Sequence, residues 1–359
     1  MLANRIAVAI GADGPWPFER FMETALYDPD GGFFAADRLR SDRTGDFLTS
    51  PEISPYFGSA IARFVATEME RSGPVDLVEV GAGSGSLLRP LLDALDRPPR
   101  RVVAVDLSPA ARRRLSELVP EAKVVRNLDD VVDLTKAVVV ANELLDNLPA
   151  AVAVRRGDGW RERWVDVDGD SLVLVEVEAR SDVVAWADEH GGPVDEGSIV
   201  EVQLAATALL SGLFDRIESG AVLTIDYGDT AEGLAPRRGE GTLRTYKAHH
   251  LGPDPLLEPG ATDITMDVNF SALVAVAEAA GWDVTLDRQD AWLEAHGLRT
   301  TLTELRQRAL AEARAGEVMA QLATKSEITG VETVLHPRGL GDFRVLTARS
   351  PTGATRGSR

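Results

Sequence analysis

From residue 75 the chain alternates short β-branched runs with stretches of helical spacing. VDLVEV (75–80), RVVAVD (101–106), AKVVR (122–126) and AVVVAN (137–142) read as four strands, and their unbroken apolar character is that of strands covered on both faces. Between them, SLLRPLLDAL (86–95) spaces its leucines as a helix does. SPAARRRLSEL (108–118) opens with Ser108 as N-cap and Pro109 at the first helical position. Strand and helix in strict alternation build a doubly wound parallel sheet.

After Pro149 the period changes to two. AAVAVRR (150–156) and RERWVDVDGDSLVLVEVEA (161–179) alternate, with Gly157 and Asp168–Gly169 as turn signals, which predicts antiparallel hairpins inserted into the parallel core. IVEVQLAATALLSGLFDRI (199–217) reads as one amphipathic helix and AVLTIDYG (221–228) as a fifth strand. NFSALVAVAEAAGWDVTLDRQ (269–289) supplies a helix and a strand, and FRVLTAR (343–349) a final strand. The Gly- and Pro-rich stretch 229–265 is too long for a plain connection and predicts a functional loop or lid. Ahead of the core lies a largely helical segment, in which Thr49 and Ser50 before Pro51 and Glu52 mark a helix start.

Composition narrows the function. The 359 residues are 44% hydrophobic and 26% charged, enough for a large core, and the formal charge of −19 opposes a phosphate backbone. Nucleic acid is therefore a poor substrate. With no cysteine, disulfides, thiolate metal sites and a cysteine nucleophile are excluded, and no metal is expected. The apolar run near the start is too short for a secretory signal and nothing reaches a membrane span, so a cytoplasmic protein without membrane insertion is expected.

The chemistry concentrates where strands end. Gly81, Gly83 and Gly85 follow the first strand in VEVGAGSG (78–85), where glycines let the backbone turn sharply and approach an anionic ligand group. The spacing is GxGxG with Glu79 two residues earlier, not the GxGxxG of a dinucleotide fingerprint. An acid there suits a ligand bearing an amino group and a sulfonium, as S-adenosylmethionine does. Asp106, ending the second strand, is placed to bind ribose hydroxyls, a feature shared with NAD-binding proteins. Beyond the fourth strand, ANELLDNLP (141–149) sets Asn142, Glu143 and Asp146 on the same edge. Carboxylates there suit alignment of a methyl acceptor and removal of its proton, or the clamping of a guanidinium. The alternative is that Asp146 or Asn147 only caps the next helix.

The ordered set FMETALYDPDGGFF, GDFLTSPEISPYFG, VEVGAGSG, NELLDNLP, IDYG, GTLRTYKAHH, DIT with VNF, and HPRGLGDFRVL resembles the MidA family of S-adenosylmethionine-dependent methyltransferases, which includes a mitochondrial complex I assembly factor that dimethylates an arginine. The resemblance covers nearly the whole chain. It implies an α/β fold, a Rossmann-like seven-stranded class I methyltransferase sheet with a helical N-terminal segment and inserted antiparallel hairpins. It implies that Gly45, Asp46 and Thr49 close over the site, that Gly81, Gly83, Gly85 and Asp106 hold S-adenosyl-L-methionine, and that Asn142 and Glu143 face the methyl group, with Asp226 and Tyr227 lining the pocket. The implied division is 1–72 packing over the active site, 73–150 as cofactor-binding core, 151–198 as inserted hairpins, 199–349 as the rest of the core, and 350–359 as a flexible tail.

The acceptor implied is a protein arginine, such as that of a respiratory complex subunit. A small-molecule O- or N-acceptor, a non-catalytic assembly role and a homodimer stay open. The sequence departs from the family pattern at Met266–Asp267, where an Ala-His pair is usual, and at Asp229, where an aromatic is common. His249 and His250 remain as candidate bases, against a solvated loop pair.

Overall fold

The computed structural model describes residues 2–35, 49–247 and 250–351. Its central sheet has seven strands, β1 (Asp76–Val80), β2 (Arg101–Val105), β3 (Lys123–Val125), β4 (Lys136–Asn142), β5 (Ser219–Asp226), β6 (Asp283–Arg288) and β7 (Arg344–Arg349). They lie in the order β6-β7-β5-β4-β1-β2-β3. Strands β1 to β5 are mutually parallel, and β7 runs antiparallel to both β5 and β6. The chain leaves β1 toward β2 and β3 and returns on its other side as β4. The carboxyl ends of β1 and β4 thus flank the switch point where open α/β sheets bind ligands.

Helices cover both faces, which is why the central strands read as apolar runs. The helix Pro55–Ser72 buries Phe57, Ile61, Phe64 and Val65 on one face, together with Trp292, Leu298 and Leu302. Leu210, Phe214, Phe270 and Leu273 cover the other. The helices Leu298–Ala315 and Val318–Val334 form a long antiparallel pair that the sequence reading does not anticipate. The helix expected over 86–95 spans only Leu88–Asp93.

A second sheet stands beside the first. Ala151–Arg156, Gly159–Asp168 and Ser171–Glu178 form the expected antiparallel strands, and Trp16–Pro17 adds to their edge with Trp16 opposite Val165. The helices Leu2–Asp13 and Phe18–Tyr27 share a core with this sheet, built from Ile6, Ile10, Phe21, Leu26, Val152 and Val165. Two expectations are corrected here. Ile199–Val202 is a strand paired with Ala151–Val154, and the helix begins only at Leu204. Gln203 holds the break, because its side chain donates to the Asp267 carbonyl (2.9 Å) and accepts from the Asn269 N–H (2.9 Å). The stretch 229–265 is not a plain loop but carries a short helix, Ala231–Leu234, and three strands, Arg244–Lys247, His250–Leu251 and Asp263–Thr265, paired in one small sheet.

At the amino end of β1, away from the switch point, the fully buried Asp76 ties β1 to the start of β2. Its carboxylate accepts from Arg100 Nε (2.8 Å) and Nη2 (3.0 Å) and from Arg101 Nε (3.0 Å). Asp76→Ala is expected to lower the unfolding free energy by about 3 kcal/mol, the low end for a broken buried pair because both arginines reach water. Urea denaturation checks this, and a cost below about 1 kcal/mol would mean the clamp contributes no more than an exposed pair.

Candidate active site

The three glycines of the turn after β1 are left-handed, with φ of +73° at Gly81, +52° at Gly83 and +81° at Gly85. Any side chain is strained in that conformation, and a Cβ on Gly81 would lie 2.9 Å from Leu144 Cδ1. Asp106 braces the turn: its carboxylate accepts from the N–H of Gly83 (2.8 Å) and of Ser108 (2.7 Å). Ser108 caps the helix Pro109–Leu118 as expected, accepting from the Ala111 N–H.

Gly81, Gly83, Asp106 and Ser108 line a cavity of about 310 Å³ that also takes in Glu79, Thr49, Asn142, Glu143 and the stacked rings of Tyr27 and Phe34. Gly85 is not part of its wall, and a Cβ there would meet Leu115 (3.1 Å) and Leu118 (3.2 Å). Glu79 is 4% exposed and its Oε2 has no hydrogen-bond partner. Burial, with Asp106 nearby, pushes its carboxyl well above the usual range. A dry, unpartnered acid on a cavity wall is costly unless a cation arrives to meet it. The site therefore fits S-adenosylmethionine, with buried carboxyl groups for its positive centres and a turn free of side chains for it to lie against. The N–H groups of Gly81 and Gly85 are taken by the carbonyls of Val105 (2.9 Å) and Ala82 (3.0 Å), as that of Gly83 is by Asp106. Thr49 caps the helix Ser50–Ile53, where Glu52 Oε2 accepts from the Thr49 N–H (3.1 Å) and Glu52 Oε1 from Ser84 Oγ (3.4 Å). That second bond ties the N-terminal segment to the glycine turn. Gly45 and Asp46 lie outside the described residues.

At the carboxyl end of β4 the backbone itself is unusual. Glu143 has φ +50°, a conformation non-glycine residues adopt seldom and at some cost. Its N–H donates to the Ile225 carbonyl (2.8 Å), and its Oε1 accepts from the Ser50 N–H (3.2 Å) and from Asn142 Nδ2 (3.3 Å). Burial pushes the Glu143 carboxyl up to about 8, opposed by the Ser50 N–H and reinforced by Asp146. Asp146 sits in the 3₁₀ turn Leu145–Asn147, with Oδ2 accepting from Thr265 Oγ1 (2.5 Å) and the Tyr227 hydroxyl, while its buried Oδ1 has no partner. Asp226, wholly buried, accepts from the N–H groups of Leu145 (2.9 Å), Asp146 (3.3 Å) and Tyr227 (2.9 Å). It anchors the turn and is not exposed to a ligand.

A second cavity of about 440 Å³ adjoins the first through Glu143 and Asn147. Asp146, Tyr227, Arg237, Arg244, Tyr246 and Phe343 form much of its wall. Most of these are not singled out by sequence reasoning, because they come from strands and turns too short to show periodicity, although Arg244 and Tyr246 stand within GTLRTYKAHH and Phe343 within HPRGLGDFRVL. His250 is exposed and lines neither cavity, and His249 lies outside the described residues. Both departures from the family pattern are ion-paired: Asp229 with Arg344 (2.8 Å), and Asp267 with Arg237 and Arg244.

Residues 60–286 match a family described as S-adenosyl-L-methionine-dependent methyltransferase. The chain belongs to this family. Among curated relatives, the mitochondrial protein arginine methyltransferase NDUFAF7 homolog of Drosophila melanogaster is 30% identical, over 78% of this chain and 70% of its own length. Human mitochondrial protein arginine methyltransferase NDUFAF7 is 26% identical, over 100% of this chain and 85% of its own. A Burkholderia thailandensis crystal structure bound to S-adenosyl-homocysteine has a TM-score of 0.84 at 29% identity, covering 100% of this chain and 95% of that one. The enzyme is thus a methyltransferase that uses S-adenosylmethionine. The cytoplasmic expectation is overturned, since these curated relatives are mitochondrial proteins. It rested on the lack of a secretory or spanning run, which bears on bilayer insertion and not on compartment.

Gly81→Ala is expected to weaken S-adenosylhomocysteine binding at least about tenfold, since the added Cβ demands a backbone shift in the turn; calorimetry showing unchanged affinity would refute the cradle. Glu143 supplies a pH test. Its ordinary value is 4.5, and in the fold it is about 8, so the folded chain holds a proton that the unfolded chain releases. The stabilisation this confers is full below about pH 4.5 and is lost as pH rises through 8. The unfolding free energy of the wild type should therefore fall relative to Glu143→Gln across that window. A pH-independent difference would mean that Glu143 titrates normally.

Proposed function

We propose that this methyltransferase acts on an arginine side chain of a protein, with Glu143 and Asp146 gripping the guanidinium. The observation that carries the reading is the second cavity, which meets the first at Glu143 and combines carboxyl groups with the rings of Tyr227, Tyr246 and Phe343. A guanidinium is flat, cationic and protonated at any physiological pH, and is recognised by carboxylates in its plane and aromatic faces against it. The names of the relatives, protein arginine methyltransferases, support the same acceptor.

In this reading Glu79, Gly81, Gly83, Asp106 and Thr49 hold the methyl donor, Gly85 completes the turn, and residues 73–150 are its binding core. The strands within 229–265 form the acceptor side and 1–72 packs over the site, while the inserted hairpins 151–198 line neither cavity. S-adenosylmethionine supplies an electrophilic methyl on sulfur. Asn142, hydrogen-bonded to Glu143, fixes that carboxyl where it would take the proton the nitrogen loses on methylation. The unpartnered Oδ1 of Asp146 would hold the guanidinium's second edge and draw its charge away from the attacking nitrogen. An arriving cation favours the ionised form of Glu143, so binding and activation are linked.

Transfer from labelled S-adenosylmethionine to arginine peptides tests the proposal, with methylarginine identified after hydrolysis. Glu143→Gln is expected to lower kcat by about 10²–10⁴ with a smaller change in donor affinity. Label on no protein arginine, either in peptides or in a cell lysate, would sink the assignment.

A further inference from the structure

We infer that the acceptor presents a carboxylate alongside its guanidinium, received by Arg237 and Arg244; the inference rests on the arginine reading and deepens it. Both arginines line the acceptor cavity. Each gives one N–H to Asp267, Arg237 through Nη1 to Oδ2 and Arg244 through Nη2 to Oδ1. Asp267 is 3% exposed and its side chain accepts no other hydrogen bond among the described residues, with Arg238 a further cation near it. One carboxylate between two guanidiniums leaves a local surplus of positive charge, because other acids of the cavity wall are engaged elsewhere, Asp342 by Arg288 and Arg344, Asp263 by Asn147 and Asp146 by Thr265 and Tyr227. The Arg244 Nε is buried without an acceptor. Both guanidinium groups stay partly open, their side chains 45% and 38% exposed, and in a cavity that must attract a guanidinium two such cations are unfavourable unless an anion meets them.

The geometry sets where that anion lies. Tyr227 spans the two ends of the cavity, its hydroxyl on Asp146 and its ring beneath Arg244, whose Cζ is 5.6 Å from the ring centroid. The carboxyl end and the arginine end thus meet on one tyrosine side chain, Asp146 at its hydroxyl and Arg244 over its ring face. A carboxylate on or next to the methylated residue falls at Arg237 and Arg244. Three sources share this chemistry: an Asp or Glu neighbour in a peptide, the terminal carboxylate of a chain ending in arginine, and free arginine. The Asp267 that organises the pair stands where the sequence departs from the usual family pattern, so the feature belongs to this chain's own acid.

The test measures acceptor binding by calorimetry on enzyme loaded with S-adenosylhomocysteine, and transfer in parallel. Its acceptors are an amidated arginine peptide with neutral neighbours, the same peptide with a glutamate or a lysine neighbour, one ending in free-acid arginine, and free arginine. At least one carboxylate-bearing acceptor is expected to bind about tenfold tighter than the neutral peptide, and the lysine peptide more weakly than neutral. Arg237→Ala combined with Arg244→Ala should bring all of them within about twofold. Arg237→Glu should shift the preference toward the lysine neighbour, an outcome that misfolding does not produce. Equal binding across the series, or a preference that survives loss of both arginines, overturns the inference. If nothing is methylated on arginine while the carboxylate preference and its loss in the variants persist, the arginine assignment falls and the anion clamp stands.

Discussion

Three backbone N–H groups, of Leu145, Asp146 and Tyr227, converge on the buried carboxyl of Asp226, and through that convergence the ends of β4 and β5 are locked to one another. A carboxylate accepting several N–H bonds is a strong, directional anchor. It holds the turn after β4 against the sheet edge, and the turn carries Asp146 and Asn147 with it. Asn147 in turn receives Tyr27 on its carbonyl (3.1 Å) and donates to Asp263 and the Ile264 carbonyl (both 3.0 Å). The N-terminal helices, the core and the small sheet of 244–265 therefore meet on a six-residue stretch whose shape is set from behind by Asp226.

The same corner gathers acids that water reaches little, with Glu79, Asp146 and Asp226 buried and Asp106 and Glu143 half-buried. Glu79, Asp106, Glu143, Asp146 and Asp226 all sit above their ordinary pKa, in each case chiefly because burial disfavours the charged form. A site of this kind is stabilised by cations more than a wet one would be, because the attraction acts through a poorly screening medium. It also distinguishes the two forms of its donor. The sulfonium carries a positive charge and the thioether left after transfer does not, so the product loses part of the attraction that drew the substrate in.

Much of this was legible in the residues. β1 to β4 read directly because strands buried on both faces are apolar without interruption, and the glycine turn, Asp106 and Glu143 follow from where such strands end. The run 199–217 was harder, since a strand and a helix abut with only Gln203 between them, and an apolar stretch carries no mark of the change until Gln203 finds its partners at Asp267 and Asn269. The wall built from 229–265 was illegible for a different reason: strands of two to four residues have no period to detect. Asp226 read as a pocket residue because it ends a strand beside Tyr227, whereas its burial beneath the turn depends on the turn's own path. The charge-rich helices over 298–334 lack a broad apolar face and gave little signal.

The pairing of Trp16 with Val165, and of the earliest helices with the sheet that Val165 belongs to, has a consequence for how the chain comes into being. The helices Leu2–Asp13 and Phe18–Tyr27 have no sheet to settle on until roughly 150 further residues have been made, a wait on the order of ten to thirty seconds at ordinary synthesis rates. β7, which lies between β5 and β6, follows both of them in the chain. A growing chain therefore carries these two helices, Phe21 and Leu26 included, without their core partners over that interval. That interval is when a chaperone has its opening, and when this enzyme is most exposed to aggregation.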